Sequence, residues 1–355
     1  MVVTRSKTRK QNQDDCSRRR AKTLDDGGSP PWSSLNDGIL FLIILRLGVY
    51  DFFAFSGVCK WWRSVALSNR NVFMASRQPM SLSFSTVHYK KDCCLEDSER
   101  RKFKTNLPHF NGRIFVGSTS GYIILFGNRV RDFWLVNPIT RHELRFPDYP
   151  FHVDQNPAYV RGVLVFSPSM SGWVFVVARG LTDTISFCLA GKEATWNHLI
   201  SDFPIHDLHF FQGKIYSLNT RYRLCEVILN PKPKLTPLGI DILDSNLLFP
   251  ELASCDQNLY VLGYNSKDMY GAIKVDFDQM KSASPIKMIE KYSCFVSVLK
   301  SGAPGKVGLW EAPQELYERY GYFHGNDSNN HKLRCLNATM WYFPHDCWNV
   351  NRLHE

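Results

Sequence analysis

The sequence lacks any long apolar run. Its longest apolar stretch, Ile39 to Leu47, is interrupted by Arg46 and is half of the roughly 18 residues that a membrane-spanning helix needs. The first 24 residues also lack the apolar segment of a secretory signal. From these two absences we expect a chain that stays inside the cell, in the nucleus, the cytoplasm or both, without a membrane partner.

The sequence also lacks cysteines at paired spacing, and its positive charge is not spread evenly along the chain. The ten cysteines occur singly except for Cys93-Cys94, and none has the CxxC spacing of a metal or redox site. A disulfide between adjacent cysteines is strained, so we expect free thiols there. Residues 1–22 hold eight Lys and Arg against two Asp, a net charge of +6. The net charge of the whole chain is +10, so the other residues carry only +4. We therefore do not expect nucleic acid as a partner of the folded part.

Motifs for catalysis fail at a required position. His142-Glu143 begins like a zinc-protease motif, but Phe146 stands where the second histidine is needed. His198, His206 and His209 are close in sequence, yet no cysteine or carboxylate completes a ligand set. We therefore expect no catalytic residue, no cofactor and no metal, in a chain that is not an enzyme.

The first segment, residues 1–28, is polar and charged. It has too few large apolar side chains to offset the entropy of ordering, so we predict a disordered basic tail. Its two basic clusters, Arg5–Lys10 and Arg18–Lys22, fit either a split nuclear-import signal or a solubilising tail.

An apolar block of about 35 residues follows, Trp32 to Ala66. Asp37 is predicted to cap a helix over 38–47, and Gly48 to end it. After a second cap at Asp51, apolar residues at helical steps predict further helix with a break near Gly57. These residues are Phe52, Phe55, Cys59, Trp62 and Ala66. A block of this length cannot enclose its own apolar groups. The rest of the chain or another protein must therefore cover it.

The block resembles an F-box domain, including its closing signature Val58-Cys59-Lys60 and Trp62-Arg63. The resemblance implies docking on the Skp adaptor of a cullin–RING ubiquitin ligase. By position, it implies a docking face of residues that contact the adaptor or complete the packing beside it. These are Leu35, Ile39, Leu40, Ile43, Leu47, Val58, Cys59 and Trp62.

The opening of the block departs from the family. F-box domains usually have Leu-Pro there, and this chain has Leu35-Asn36. Proline presets the first helical turn, so its absence leaves two alternatives open. One is an F-box-like scaffold or competitor that acts outside the ligase through protein binding by the second domain. The other is a helical cap on that domain.

The rest of the chain has the pattern of repeated β-structure. Residues 71–108 are mixed and charged, and we predict a connector that contributes a first strand near Met80–Phe84. From residue 109, a turn followed by an apolar strand recurs at Ile114, Ile215, Leu259 and Met340, with gaps of 101, 44 and 81 residues. A period of 40–50 residues is typical of a β-propeller blade. We predict five or six blades over 109–355, closed by strand exchange.

One passage resembles the plant F-box family with a KIB-type β-propeller. It comprises Gly121–Leu125, then WLVNPITR at 134–141, then LRFP at 144–147. The resemblance implies a substrate receptor of an SCF-type ligase that binds an unidentified target protein through loops on one face of its propeller. The candidate loop residues are Tyr149, Phe151, His152, Arg221, Tyr222 and Arg223.

The predicted architecture is mainly β with a small α domain. A three-helix F-box domain at 29–70 follows the tail, and a kelch-like propeller follows the connector. The implied partners are the Skp-type adaptor and, through it, the cullin and RING subunits.

Overall fold

The computed structural model describes fifteen segments of the chain. They are residues 32–84, 92–107, 113–127, 129–150, 160–191, 195–242, 247–255, 257–264, 270–278, 281–282, 293–298, 304–310, 321–322, 334–338 and 341–342. The basic tail at 1–28 lies outside these segments. Within them, no helix has the length and apolar character needed to cross a membrane.

Three helices form the N-terminal unit, as predicted. After a 3-10 turn at Trp32–Ser34, they are α1 (Asp37–Arg46), α2 (Val49–Ser56) and α3 (Lys60–Ala75). Between α2 and α3 the helical path is interrupted at Gly57–Cys59, which agrees with the break expected near Gly57. We call residues 32–75 the helical unit.

The N-caps of the first two helices differ from the prediction. Asn36, not Asp37, is the N-cap of α1, and its side-chain Oδ1 accepts a hydrogen bond from the Gly38 amide at 2.8 Å. Asp37 is the first helical residue, where a negative charge favours the helix N-terminus. Gly48 caps the start of α2 instead of ending α1, so Asp51, which we expected as the second cap, lies in the first turn of α2. A Cβ at Gly48 would lie 2.7 Å from the end of the exposed Arg101 side chain, which would have to move aside.

The rest of the chain covers one side of the helical unit. Tyr50 of α2 stacks on Phe103 with ring centroids 4.1 Å apart, and the Asp51 carboxylate lies 3.8 Å from the Arg101 guanidinium. Buried side chains of all three helices belong to one apolar cluster with those of the first sheets, for example Trp134. The chain therefore supplies part of the cover that the apolar block needs.

Twenty-four described strands form six four-stranded sheets. Five sheets are built from consecutive strands, and we call them blades 1 to 5. Blade 1 contains β4 (Arg113–Thr119), β5 (Tyr122–Gly127), β6 (Phe133–Val136) and β7 (Glu143–Arg145). Blade 2 contains β8 (Val160–Ser167), β9 (Gly172–Arg179), β10 (Thr184–Leu189) and β11 (Asn197–Ile200).

Blades 3 and 4 repeat this simple meander. Blade 3 contains β12 (Ile205–Phe211), β13 (Lys214–Asn219), β14 (Arg223–Ile228) and β15 (Lys234–Asp241). Blade 4 contains β16 (Leu248–Cys255), β17 (Asn258–Tyr264), β18 (Tyr270–Asp276) and β19 (Lys281–Ser282). Blade 5 contains β20 (Ser293–Val298), β21 (Pro304–Trp310), β22 (Gly321–Tyr322) and β23 (Arg334–Ala338), and in it β20 and β23 pair in parallel.

The sixth sheet joins the two ends of the β-region, and we call it the closing sheet. It contains β1 (Met80–Phe84), β2 (Asp92–Glu96) and β3 (Lys102–Asn106), with β24 (Trp341–Tyr342) paired to β1. Residues 71–108, expected to be a connector, therefore hold three strands of a sheet. Their charged residues suit exposed strand edges, which is why the segment looked like a linker. The strand exchange agrees with the predicted closure.

Consecutive blades repeat at the predicted spacing. The Thr119 side chain accepts a hydrogen bond from the Leu164 amide at 2.9 Å, across 45 residues. The Asp207 side chain accepts from the Leu252 amide at 2.7 Å, also across 45 residues. These bonds join the first strands of neighbouring blades, and their spacing lies within the 40–50 residues expected for one blade.

A hairpin joins β6 to β7. Asn137 Oδ1 accepts from the amides of Ile139 and Thr140 at 3.0 and 2.9 Å, which fixes the turn. The return strand starts at Glu143, after Arg141, which adopts a left-handed backbone with φ 60°.

Cys93 and Cys94 are free thiols on opposite faces of β2. Cys93 is buried, and burial raises its thiol pKa above the usual range. The adjacent pair is therefore part of the sheet and not a disulfide.

Candidate functional site

The outer side of the helical unit is apolar, and no described part of the chain covers it. Ile39 and Leu42 lie one turn apart on α1 and are 49% and 62% exposed. Trp61 is 44% exposed, and its indole Nε1 donates to the Leu35 carbonyl at 3.3 Å, which holds the ring near the start of α1. Trp32 is 73% exposed. We call Trp32, Ile39, Leu42 and Trp61 the outer face.

The residues predicted for adaptor contact occupy different environments. Ile39 and Val58 are exposed, whereas Leu35, Ile43, Leu47, Cys59 and Trp62 are partly buried. Cys59 caps α3, with its Sγ accepting from the Trp62 amide at 3.5 Å, and Trp62 stacks on Phe55 at 4.5 Å.

Leu40 corrects the prediction. It is fully buried beside Ile44, one turn further along the same side of α1. Its side chain stabilises the helical unit and does not face a partner.

Sequence reasoning missed Leu42 and Trp61 as surface residues. Leu42 lies three positions after Ile39, so both fall on one side of a helix. The signal was present, but α1 is apolar on nearly every side, so its sequence does not show which side the chain covers.

The residues predicted for target binding also differ in exposure. Tyr149 is 2% exposed, and its hydroxyl shares a hydrogen bond with Ser186 Oγ at 3.2 Å. Burial raises its pKa, an effect that the Ser186 bond reduces. A loop contact by Tyr149 is therefore wrong, because its ring packs between blades 1 and 2 against Phe133. Phe151 and His152 lie outside the described residues.

Arg221, Tyr222 and Arg223 lie on the turn between β13 and β14. Buried Asn219 fixes this turn, because its Oδ1 accepts from the amides of Arg221 and Arg223 at 2.9 and 3.0 Å. Arg221 and Arg223 are exposed. Tyr222 is half-buried, and its hydroxyl donates to the Leu247 carbonyl at 2.9 Å. These three residues remain available as a surface.

A cavity of about 120 Å³ lies where the first strands of blades 1 to 4 meet. Arg161 of β8 contacts two buried carboxylates there, with Nε 3.3 Å from Asp207 Oδ1 and one terminal nitrogen 2.7 Å from Glu251 Oε1. Asp207 also accepts from the Leu208 and Leu252 amides. Each group is partnered within the chain, so the cluster links three blades.

The cavity has the size of a few waters and is well below the roughly 300 Å³ of a small-molecule pocket. His209 lines it and shares a hydrogen bond with Ser254 Oγ at 2.9 Å. His198 bonds Ser186 instead, so the predicted weak metal candidates lie apart. Burial, and then the Arg161 charge, lower the pKa of His206. In the segments described, no three potential ligands are grouped around a metal position.

Comparison with known proteins adds two sequence families. The F-box domain profile matches residues 32–74, and the KIB1-4 β-propeller profile matches residues 94–271, half of the chain. The F-box protein At1g10110 of Arabidopsis thaliana is 26% identical over 125 residues, which are 35% of this chain and 30% of that protein. The match thus spans less than a third of the relative.

Solved structures give weaker likenesses. A Bacteroides caccae protein of unknown function is 12% identical with a TM-score of 0.40, over 66% of this chain and 87% of that one. Virginiamycin B lyase from Staphylococcus aureus is 8% identical with a TM-score of 0.34, over 59% of this chain and 85% of that one. Neither informs the function of this chain.

Proposed function

The chain belongs to the KIB1-4 β-propeller family and carries an F-box domain, and on that basis we propose that it is the substrate-recognition subunit of an SCF-type cullin–RING E3 ubiquitin ligase. The F-box binds a Skp-type adaptor, which links it to the cullin and RING subunits, and the propeller binds a target protein. The chain does no bond chemistry. It raises the effective concentration of target lysines near the conjugating enzyme. We place it in the nucleus, the cytoplasm or both.

The uncovered outer face supports this proposal most directly. Of the thirteen large apolar side chains that are exposed in the described segments, seven lie within residues 32–72. The closing sheet covers the side of the helical unit that carries Tyr50, and the outer face has no cover within these segments. A concentration of exposed large apolar side chains of this kind is typical of a protein interaction site.

The test is affinity purification of the intact chain from plant cells, with proteasome and neddylation inhibitors present. We expect a Skp-type adaptor, a cullin and a RING subunit to co-purify in proportion to the chain. A variant without residues 32–66 serves as the comparison. Equal recovery of the three subunits with that variant, or their absence from both preparations, would contradict the proposal.

The scaffold or competitor alternative rests on Asn36 in place of proline. The structure shows that Asn36 caps α1 through its own side chain, so the helix start has a stabilising group without proline. We therefore expect Asn36→Pro to change adaptor affinity less than about fivefold, because the lost cap offsets the preset turn. Titration calorimetry with purified adaptor measures this. Asn36→Ala is the control that removes only the cap, and a rise well beyond fivefold for Asn36→Pro supports the alternative.

A further inference from the structure

Exposed apolar side chains on the propeller gather at one end of its strands. We define the upper face as the end where the first strand of each blade begins and where its second and third strands connect. Phe210, next to the β12–β13 turn, lies at the lower face. The other five exposed large apolar residues in the described blades lie at the upper face: Val130, Leu181, Ile200, Leu248 and Phe249.

The upper face is opposite the helical unit. The end of α3 leads into β1, which is the second strand of the closing sheet and therefore starts at its lower end. Arg101, which lies near Asp51 of α2, precedes β3 in the turn that joins the third and fourth strands, also at the lower end. A partner on the helical unit therefore leaves the upper face accessible.

Hydrogen bonds join the upper loops of blades 2, 3 and 4. The Leu181 amide donates to the Ile205 carbonyl at 3.0 Å, and the Thr220 amide donates to the Pro204 carbonyl at 2.8 Å. The Tyr222 hydroxyl reaches the Leu247 carbonyl, next to Leu248. These loops form one continuous surface. We call Leu181, Ile200, Arg221, Leu248 and Phe249 the upper-loop surface.

Two apolar residues of this surface have a strained backbone and an exposed side chain. Leu181 and Phe249 have left-handed backbones, with φ 64° and 51°, and they are 55% and 62% exposed. Large side chains rarely adopt this conformation, which asparagine or glycine would adopt with less strain. Exposure means that packing within the chain does not compensate. Strain of this kind points to a role outside the fold.

Arg221 is the group on this surface that can take an anion. Arg221 is exposed, its guanidinium lies 5.3 Å from the Phe203 ring centre, and it makes no ion pair in the described segments. Asp183 and Asp202 follow Leu181 and Ile200 by two residues each, and Asp202 directly precedes Phe203. An arginine resting on an aromatic ring is positioned to take a carboxylate by charge-assisted hydrogen bonds.

We propose that the upper-loop surface binds an extended segment of the target protein, with apolar side chains on Leu181, Ile200, Leu248 and Phe249 and a carboxylate on Arg221. This inference names the target site of the proposed ligase subunit and rests on that proposed function. The occupant is a peptide segment and not a small ligand, because the five residues are spread over the loops of three blades.

The test selects ligands for the intact chain from a phage-displayed library of random short peptides. We expect enriched peptides to combine large apolar residues with Asp or Glu. For a synthetic peptide from the selection, Phe249→Asn and Arg221→Glu should each raise the Kd about tenfold or more in fluorescence polarisation. Exchange of the peptide carboxylate for lysine should restore binding to Arg221→Glu.

Phe210→Asn is the matched control, since it removes an exposed phenylalanine from the lower face. Enriched peptides without acidic residues, or equal effects of Phe210→Asn and Phe249→Asn, would overturn the proposal. So would a dimer of the chain that Phe249→Asn dissolves, because this face would then bind a second copy. Ile200→Ser provides a second variant if Phe249→Asn does not fold.

Adaptor binding is measured on the same preparations, which separates the two proposals. If the adaptor binds but no peptide is selected, only the proposal about the upper-loop surface is overturned. Peptide binding that persists in a chain without adaptor affinity overturns the ligase assignment and leaves this surface in place.

Discussion

Replacing Ile39 and Leu42 with aspartate is expected to reduce affinity for the Skp-type adaptor about 100-fold or more. Both side chains project from one side of α1 and are substantially exposed, so a docked adaptor would bury them. Each substitution removes an apolar contact and places an unpaired charge in the interface, which costs about 2 kcal/mol or more at a central position. Surface plasmon resonance with purified adaptor measures the loss.

The matched control for this double variant is Val130→Asp. Val130 is 57% exposed, lies on blade 1, and receives the same type of substitution away from the helical unit. Because all three sites are exposed, the melting temperatures should stay close to that of the wild type. Unchanged adaptor binding by the double variant would show that the outer face is not the docking site. Leu40→Asp is unsuitable, because a charge in that fully buried position unfolds the helical unit.

The helical unit was predictable because its signals are local. Helical spacing of apolar residues and the break near Gly57 gave three helices. The cap of α1 was misplaced by one residue because Asn36 and Asp37 are both good N-caps. Gly48 is the N-cap of α2, with an extended backbone, and a glycine between two helices does not show in sequence which of them it serves.

The propeller was predictable from the 40–50-residue period of its sequence, whereas the closing sheet was not. The spacing of apolar residues after turns reflects one blade, and the 45-residue hydrogen bonds give the same value. The closing sheet depends on β1 pairing with β24, which is more than 250 residues away. No local pattern encodes that pairing, so β2 and β3 looked like a charged connector and only β1 was expected.

Site prediction failed where burial depends on tertiary packing. Leu40 and Leu42 are identical residues on one helix, and only the surrounding chain decides which is covered. Tyr149 follows a turn and has the composition of a loop, yet the aromatic cluster between blades 1 and 2 encloses it. Arg221 stayed on the surface because Asn219 holds its turn outward.

Arg161→Met is expected to destabilise the propeller by about 3–5 kcal/mol. The guanidinium contacts Asp207 and Glu251 of two other blades, and both carboxylates are nearly buried. Methionine keeps the apolar part of the side chain but leaves the two carboxylates without their cation in a poorly hydrated site. Urea unfolding followed by tryptophan fluorescence measures the change in the free energy of unfolding.

Arg145→Met is the matched control, because Arg145 is exposed and lies 3.5 Å from Glu143 on the propeller surface. Its loss should cost no more than about 1 kcal/mol, since solvent screens such a pair. Adding Glu251→Met to Arg161→Met should recover part of the stability, because one uncompensated charge is removed. If Arg161→Met costs no more than Arg145→Met, water in the cavity hydrates both carboxylates. The cluster would then not hold the three blades together.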